Sequence, residues 1–268
     1  MPALTVWSCL ILSSLTTGQE PFVGSGVLAN AVPKPPSTNL IFWLRNDAGL
    51  FQDTAGTVPT VADGDPVGLW KDQSGVSGDV SQAVALSKPT LKLNIQNGRQ
   101  VVRFSGSNGM RLTTVGSVAH GIGTGDFWFA AVTARRSTNA FNTALSIGTF
   151  SPAFYTQDPA TAGHYKMNFY FSGNHRFDTD QALNTFYVNE IARVSGTVKA
   201  WLGAGGATPV QEATTFAGVT GSIANAVFYV GDDNANDLFN GDIAELLLYK
   251  GAPDQAALEN YLTNKYWH

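Results

Sequence analysis

The stretch NGDIAELLLYKGAPDQAALENYLTNKYWH, residues 240–268, changes its period part-way along, and that change decides the fold. Residues 242–251 (DIAELLLYKG) are a continuous β-type run, too short and too aliphatic to need a helix. Pro253 and Asp254 follow, at a place where a missing N–H is tolerated and a negative charge is favoured: the first turn of a helix. Ala257, Leu258, Tyr261, Leu262, Lys265 and Tyr266 then recur at helical spacing, which predicts a C-terminal helix with one apolar stripe laid against the rest of the domain.

Upstream, the β-type runs continue. Residues 39–45 (NLIFWLR), 125–136 (GDFWFAAVTARR), 166–173 (KMNFYFSG), 185–194 (TFYVNEIARV), 197–205 (TVKAWLGAG) and 226–232 (AVFYVGD) concentrate β-branched and aromatic residues between Gly and polar punctuation. In LKLNIQNGRQVVRFSG (91–106), Leu91, Leu93 and Ile95 alternate into Asn97-Gly98, with Val101, Val102 and Phe104 beyond. An Asn-Gly pair in that setting predicts a tight hairpin, because both turn positions need positive φ. Residues 47–68, rich in Gly, Asp, Thr and Pro, are predicted as a long loop. LWKDQSG (69–75) reads as a fold-specifying turn: Trp70 packs inside while Asp72, Ser74 and Gly75 supply turn chemistry. Short strands with turn signals between them predict a sandwich or barrel, not alternating β and α.

At 268 residues the chain can bury a full core. Charged residues are 13% of it, about half the usual share. A net charge of −4 with no Lys/Arg run argues against nucleic acid as a partner. Cys9 stands alone, which excludes an internal disulfide and a multi-cysteine zinc site. The four histidines (His120, His164, His175 and His268) never fall at i, i+4, which argues against a histidine metal centre. No apolar run approaches the roughly 20 residues of a membrane span.

Residues 1–38 are expected to form an extended N-terminal arm ending in the Pro-rich linker GQEPFVGSGVLANAVPKPPST (18–38). LTVWSCLILSSLTTG (4–18) is apolar like an export signal, yet no Lys or Arg precedes it and Ser8, Ser13 and Ser14 dilute it, so an uncleaved arm and an export signal both stay open. The folded domain is expected over 39–268.

Four blocks, IFWLRNDAGLF (41–51), GDPVGLWKDQSG (64–75), NGRQVVRFSG (97–106) and FNGDIAELLLYKGAPDQAALENYLTNKYW (239–267), resemble in order and spacing a concanavalin A-like lectin/glucanase domain of the laminin-G-like type. The resemblance implies an all-β, two-sheet antiparallel jelly-roll sandwich with its first and last strands close together. It also implies a setting in secreted bacterial or phage virion proteins, usually as a binding or structural module.

Fold alone does not settle chemistry. A retaining glycosidase needs two carboxyl groups about 5–5.5 Å apart, and the glucanase relatives use a Glu-x-Asp-x-x-Glu strand. Glu20, Glu190, Glu212, Glu245 and Glu259 offer no such strand. Asp63/Asp65 and Asp178/Asp180 have i, i+2 spacing but lie in turn-rich segments, where turn-forming Asp is the ordinary explanation. A lyase would draw on His164, Tyr165, Lys166 and His175, residues that a strand and its turn also explain. In GDDNANDLFNGD (231–242), Asp232, Asp233, Asn234, Asp237 and Asp242 are candidate ligands for a structural calcium, against the alternative of a polar turn. Trp43, Trp70, Trp128 and Trp201 lie in strand-like runs and are expected in the core, whereas Tyr155, His175 and Phe177 are candidates for a loop-borne glycan site.

Together these readings predict a chain without catalysis and with no required cofactor. Its expected role is adhesion or decoration on a virion or other extracellular surface, with the arm docking on neighbouring subunits and glycans as possible ligands. The alternative is a polysaccharide-degrading hydrolase or lyase on the same scaffold.

Overall fold

The computed structural model describes residues 34–76, 78–138, 142–161, 164–235 and 237–268, and the side chains of 157–161 are left aside. The chain divides into two units, Met1–Val32 and Pro33–His268, and everything below concerns the second. The predicted arm, with its docking role, lies outside the described residues up to residue 33.

The strands in chain order are β1 (Leu40–Arg45), β2 (Leu50–Phe51), β3 (Leu69–Trp70), β4 (Val80–Ser81), β5 (Thr90–Gln96), β6 (Arg99–Ser105), β7 (Leu112–Thr114) and β8 (Phe127–Arg135). After them come β9 (Asn142–Ile147), β10 (Ala153–Thr161), β11 (His164–Tyr170), β12 (Asn174–Arg176), β13 (Tyr187–Val194), β14 (Thr197–Ala204), β15 (Val210–Gln211), β16 (Phe228–Val230) and β17 (Asn240–Lys250). Helix α1 (Gln255–Trp267) follows the last strand. One sheet runs β15-β14-β13-β8-β17-β6-β5 with β1 also on β17; the other runs β12-β11-β10-β9-β16-β7-β4-β3-β2. Every pairing within named strands is antiparallel, so the expected two-sheet sandwich with one C-terminal helix is the fold. The first and last strands are indeed neighbours: Phe42 to Arg45 pair with Leu248 to Glu245.

Between the sheets the core is aromatic. Phe127 meets Phe154 edge-on at 5.5 Å, Phe129 stacks on Phe154 at 4.6 Å, and Phe42 meets Phe228 edge-on at 5.1 Å. The Asn97-Gly98 hairpin forms between β5 and β6 with both residues at positive φ. In the LWKDQSG stretch Trp70 is fully buried and its indole N–H donates to the Arg45 carbonyl at 2.9 Å. The Asp72 carboxylate accepts from the backbone N–H groups of Trp43, Ser74 and Gly78 and from the Ser74 hydroxyl, so this block ties β1 to a turn.

Helix α1 starts as its sequence predicts: the Asp254 side chain caps the Ala257 N–H at 3.1 Å. Leu258, Tyr261, Leu262 and Tyr266 pack on Trp43, Trp128, Trp201, Leu247 and Tyr249 across the outer face of the first sheet. Full burial of Leu258 and Leu262 stabilises this docking by about 1.5–3 kcal/mol each. Lys265 is buried as the spacing placed it, whereas Ala257, also placed on the stripe, faces outwards and Glu259 and Thr263 are buried instead. The first sheet is therefore covered on both faces. Among the described residues no second α-helix covers the outer face of the other sheet, and no helix is long and apolar enough to cross a membrane.

Candidate functional site

The outer face of the second sheet, which carries no helix among the described residues, meets the loop between β16 and β17. Gly231 turns the chain out of β16 at φ +82°, and a Cβ there would stand 2.3 Å from the Phe104 ring, so only glycine fits. The loop then folds back on Asp233, whose Oδ1 accepts the N–H groups of Ala235 (2.8 Å) and Asp237 (3.2 Å). Tyr155 comes from β10, where alternation puts Phe154 in the core and Tyr155 on the outer side. Its hydroxyl lies 3.3 Å from Asp233 Oδ2 and 3.0 Å from Asp237 Oδ2. Since the two carboxyl groups share one hydroxyl, their oxygens stand no further apart than those distances combined. Two carboxyl groups so close do not both ionise freely. Burial first, and then the charge of Asp233, push the Asp237 carboxyl up to about 6, while the Tyr155 hydrogen bond pulls the other way. Burial beside the two acids raises the Tyr155 hydroxyl as well.

Asp233 is sealed from solvent and Asp237 is half-buried, so Asp237 is the member of the pair that reaches the surface. Next to it, the Phe150 N–H donates to the Asp233 carbonyl at 2.7 Å and the Asn234 amide donates to Thr149 Oγ1 at 3.1 Å. These bonds hold the Phe150 ring, 38% exposed, 4.4 Å from the Tyr170 ring. An aromatic pair beside a carboxyl group, an amide and a hydroxyl is the chemistry of a sugar-ring platform. A carboxyl group that titrates near 6 can hold a proton close to neutrality and deliver it to a leaving oxygen.

Of the three residues expected to share a glycan site, Tyr155 belongs to this cluster, but its ring is 2% exposed and offers no stacking face. Phe177 is also 2% exposed, inside the core with its ring 5.5 Å from Phe216. A strand position in one case and core packing in the other replace the loop that the Gly/Asn-rich sequence predicted. His175 bonds to the Phe169 carbonyl through Nδ1 at 2.9 Å and lines a separate depression with Phe171 and Gly218. The three do not form one site.

The five calcium candidates do not converge either. Arg111 takes Asp232 at 2.7 Å, and Arg103 takes Asp242 through two bonds of 2.6 and 2.9 Å. Asn234 and Asp233 are spent on the loop itself. No group of three metal-ligating side chains occurs among the described residues. A calcium ion wants six to eight oxygens, and two of these carboxylates already have guanidinium partners, so the set does not fit one.

A second gathering of acids lies in a cleft of about 410 Å³ beside β13, β14 and β15, where Asp178, Asp180 and Glu212 meet. Glu212 Oε2 accepts the N–H groups of Asp178 and Thr179 and the Thr179 hydroxyl, and Asp178 accepts the N–H and hydroxyl of Thr214. Those bonds, the Thr214 hydroxyl first, hold Asp178 below the usual carboxylate range. His164 Nδ1 pairs with Asp180 at 2.7 Å at the exposed rim. Asp178 and Glu212 thus act as latches for loops. Asp63 and Asp65 serve turns in the same way, through the N–H groups of Leu93, Val61 and Ala62. Glu212 was set aside in the sequence because an isolated Glu just after a short edge strand carries no local signal.

With fold and site described, the class is a jelly-roll-type β-sandwich. No protein-family model matches the chain, and no curated protein sequence matches it. Among solved structures, an arabinofuranosidase complexed with arabinofuranosyl-α-1,2-xylobiose is similar with a TM-score of 0.58 at 12% identity, over 75% of this chain and 51% of that one. A GH54 α-L-arabinofuranosidase soaked with a cyclic sulfate inhibitor gives 0.56 at 12% identity, over 87% and 60%. Trypanosoma rangeli sialidase gives 0.47 at 13% identity, over 88% and 34%. The chain spans about half the length of the first and a third of the last. The expectation of a chain without catalysis is corrected by this finding: the solved sandwiches it resembles, the arabinofuranosidases, are enzymes. That expectation rested on a search for two acids along one strand, whereas Asp233 and Asp237 meet across a turn, four residues apart.

Proposed function

We propose that the chain is a glycoside hydrolase on a concanavalin A-like, laminin-G-type sandwich, with Asp237 as its proton donor. The observation that carries this reading is the Asp233–Asp237 pair on the shared Tyr155 hydroxyl, with the outer acid held near 6. Asp237 protonates the glycosidic oxygen as its bond to the anomeric carbon breaks, and a water adds its hydroxyl to that carbon and gives its proton back to the Asp237 carboxylate. Asp233 is a positioning residue: its buried charge keeps the proton on Asp237 and it does not touch substrate. The Phe150–Tyr170 pair stacks on a sugar ring beside the cleaved bond. The arabinofuranosidases that share the sandwich support the class of reaction, and arabinofuranosides head the substrates to try. An extracellular setting accompanies this reading, since polymeric glycans are met outside cells.

The test is release of sugar or 4-nitrophenol from a panel of 4-nitrophenyl glycosides and polysaccharides, using the full chain. Activity should fall as pH rises through about 6, because a general acid must enter the step protonated. Asp237→Asn should cost roughly 10²–10⁴ in turnover. No release by the wild-type chain from any member of the panel, or an unimpaired Asp237→Asn variant, overturns the proposal.

A further inference from the structure

On the opposite side of the sandwich, where α1 ends, a cavity of about 410 Å³ opens beside β5 and the end of β8. Its volume falls within the range of small-molecule sites. Gln96, Arg136, Asn184, Thr185, Asp242 and Trp267 contribute to its wall. None of them takes part in the Asp237 cluster.

The wall has three properties. First, the Trp267 indole is fixed in place. It is half-buried, meets the Tyr266 ring at 76°, and lies so close to Gly206 that a Cβ there would stand 2.9 Å from its Cγ. A ring held this way loses little freedom when a ligand stacks on it. Second, the charge is unbalanced. Asp242 is fully buried and takes Arg103 through a bidentate pair, which answers its charge. Arg136 reaches the same carboxylate only at 3.4 Å and its side chain is 38% exposed, so the three groups together keep one positive charge at the cavity. Third, side-chain amides and a hydroxyl (Gln96, Asn184 and Thr185) surround that charge, while the helix-end carbonyl of Tyr266 is already bonded by the Gln96 Nε2 amide at 3.0 Å. The negative end of the helix is thereby covered.

From this juxtaposition we infer a second carbohydrate site, for an acidic sugar unit of the uronate type: Arg136 takes the carboxylate, Trp267 stacks on the ring, and the amides bond the hydroxyls. It is a binding site without chemistry of its own, on the far side of the sandwich from Asp237, and it does not depend on the hydrolase reading.

Isothermal titration of the full chain with trigalacturonate, and with neutral galactotriose as the comparison, tests it. Trigalacturonate should bind with a Kd on the order of 1 mM or tighter, and galactotriose at least tenfold more weakly. Arg136→Gln, at an exposed position, should weaken trigalacturonate at least tenfold, and Trp267→Ala should abolish binding. Asp237→Asn should bind as the wild type does, which separates this site from the proposed hydrolytic one. Absence of binding up to ~10 mM, equal binding of galactotriose, or an undiminished Arg136→Gln variant overturns the inference. If Trp267→Ala fails to fold, Arg136→Gln and the neutral trisaccharide decide the question.

Discussion

The two outer faces of this sandwich hold their carboxyl groups in different surroundings. Under α1, Glu245 is completely sealed and surrounded by donors: the Trp43 indole at 2.5 Å, the Tyr261 and Tyr266 hydroxyls at 2.6 and 2.7 Å, and Lys265 Nζ at 2.8 Å. Glu190, two strands away, is equally sealed, but only one of its oxygens has a partner, the Trp128 indole at 3.1 Å. Beside the helix-free sheet, Asp237 shares a hydroxyl with a neighbouring acid and reaches the surface. Burial alone therefore does not mark a reactive acid here. What differs is whether a substrate can reach the proton.

The largest test of this contrast is Glu245→Ala. It takes from Lys265, whose side chain is 2% exposed, the nearer of its two carboxylate partners, leaving Asp47 at 3.3 Å, and it removes the acceptor of the Tyr261 hydroxyl and the Trp43 indole. Breaking a buried pair in this way should destabilise the domain by about 3–5 kcal/mol in urea unfolding, with α1 released first. An unchanged midpoint would show that the face is not sealed. Glu190 sharpens the point. Burial, and then Glu259 facing it from α1, hold its carboxyl well above the ordinary 4.5, against the Trp128 hydrogen bond; Tyr249 faces it from β17. The folded chain then keeps a proton that the unfolded chain gives up. Stability contributed by this group falls as pH rises from 4.5 towards the folded value, by about 1.4 kcal/mol per pH unit. Glu190→Gln should remove that slope, and identical pH profiles for variant and wild type would refute the assignment.

Smaller effects are expected on the open face. Asp233→Asn removes the like charge and should lower the Asp237 pKa from about 6, whereas Tyr155→Phe removes the hydrogen bond to its carboxylate and should raise it, each by roughly one unit. Carboxyl-carbon NMR titration reads both, and shifts of the same sign would break the account. Phe150→Ala should raise KM several-fold with kcat little changed, in line with about 0.5–1.5 kcal/mol for an aromatic contact; an equal fall in kcat would place the ring in the chemistry instead.

Much of the fold was legible. The Asn97-Gly98 hairpin, the 242–251 strand and the helix after Pro253 each carry a strong local signal, and together they identify a sandwich. The tryptophans behave as their strand-like settings predict: Trp43, Trp70, Trp128 and Trp201 are all buried. The run NTALSI of β9, however, has small and polar residues at positions that are buried, and β10 begins at Ala153 just after Pro152, so Tyr155 looked like a loop residue. The site was less legible for a related reason. Alternation rules find acids on one strand face, but Asp233 and Asp237 meet through an Asx turn whose geometry the spacing does not announce. Asp242 was grouped with them by proximity along the chain; its partner Arg103 lies 139 residues away.

The position of β17 has a consequence for how the protein is made. This strand lies between β8 on one side and β6 and β1 on the other, yet among the described strands it leaves the ribosome after all the others. Until residues 240–250 have emerged, the first sheet is three separate pieces with open edges: β15-β14-β13-β8, β6-β5 and β1. A growing chain stalled before that point presents unpaired strand edges to its neighbours or to a chaperone.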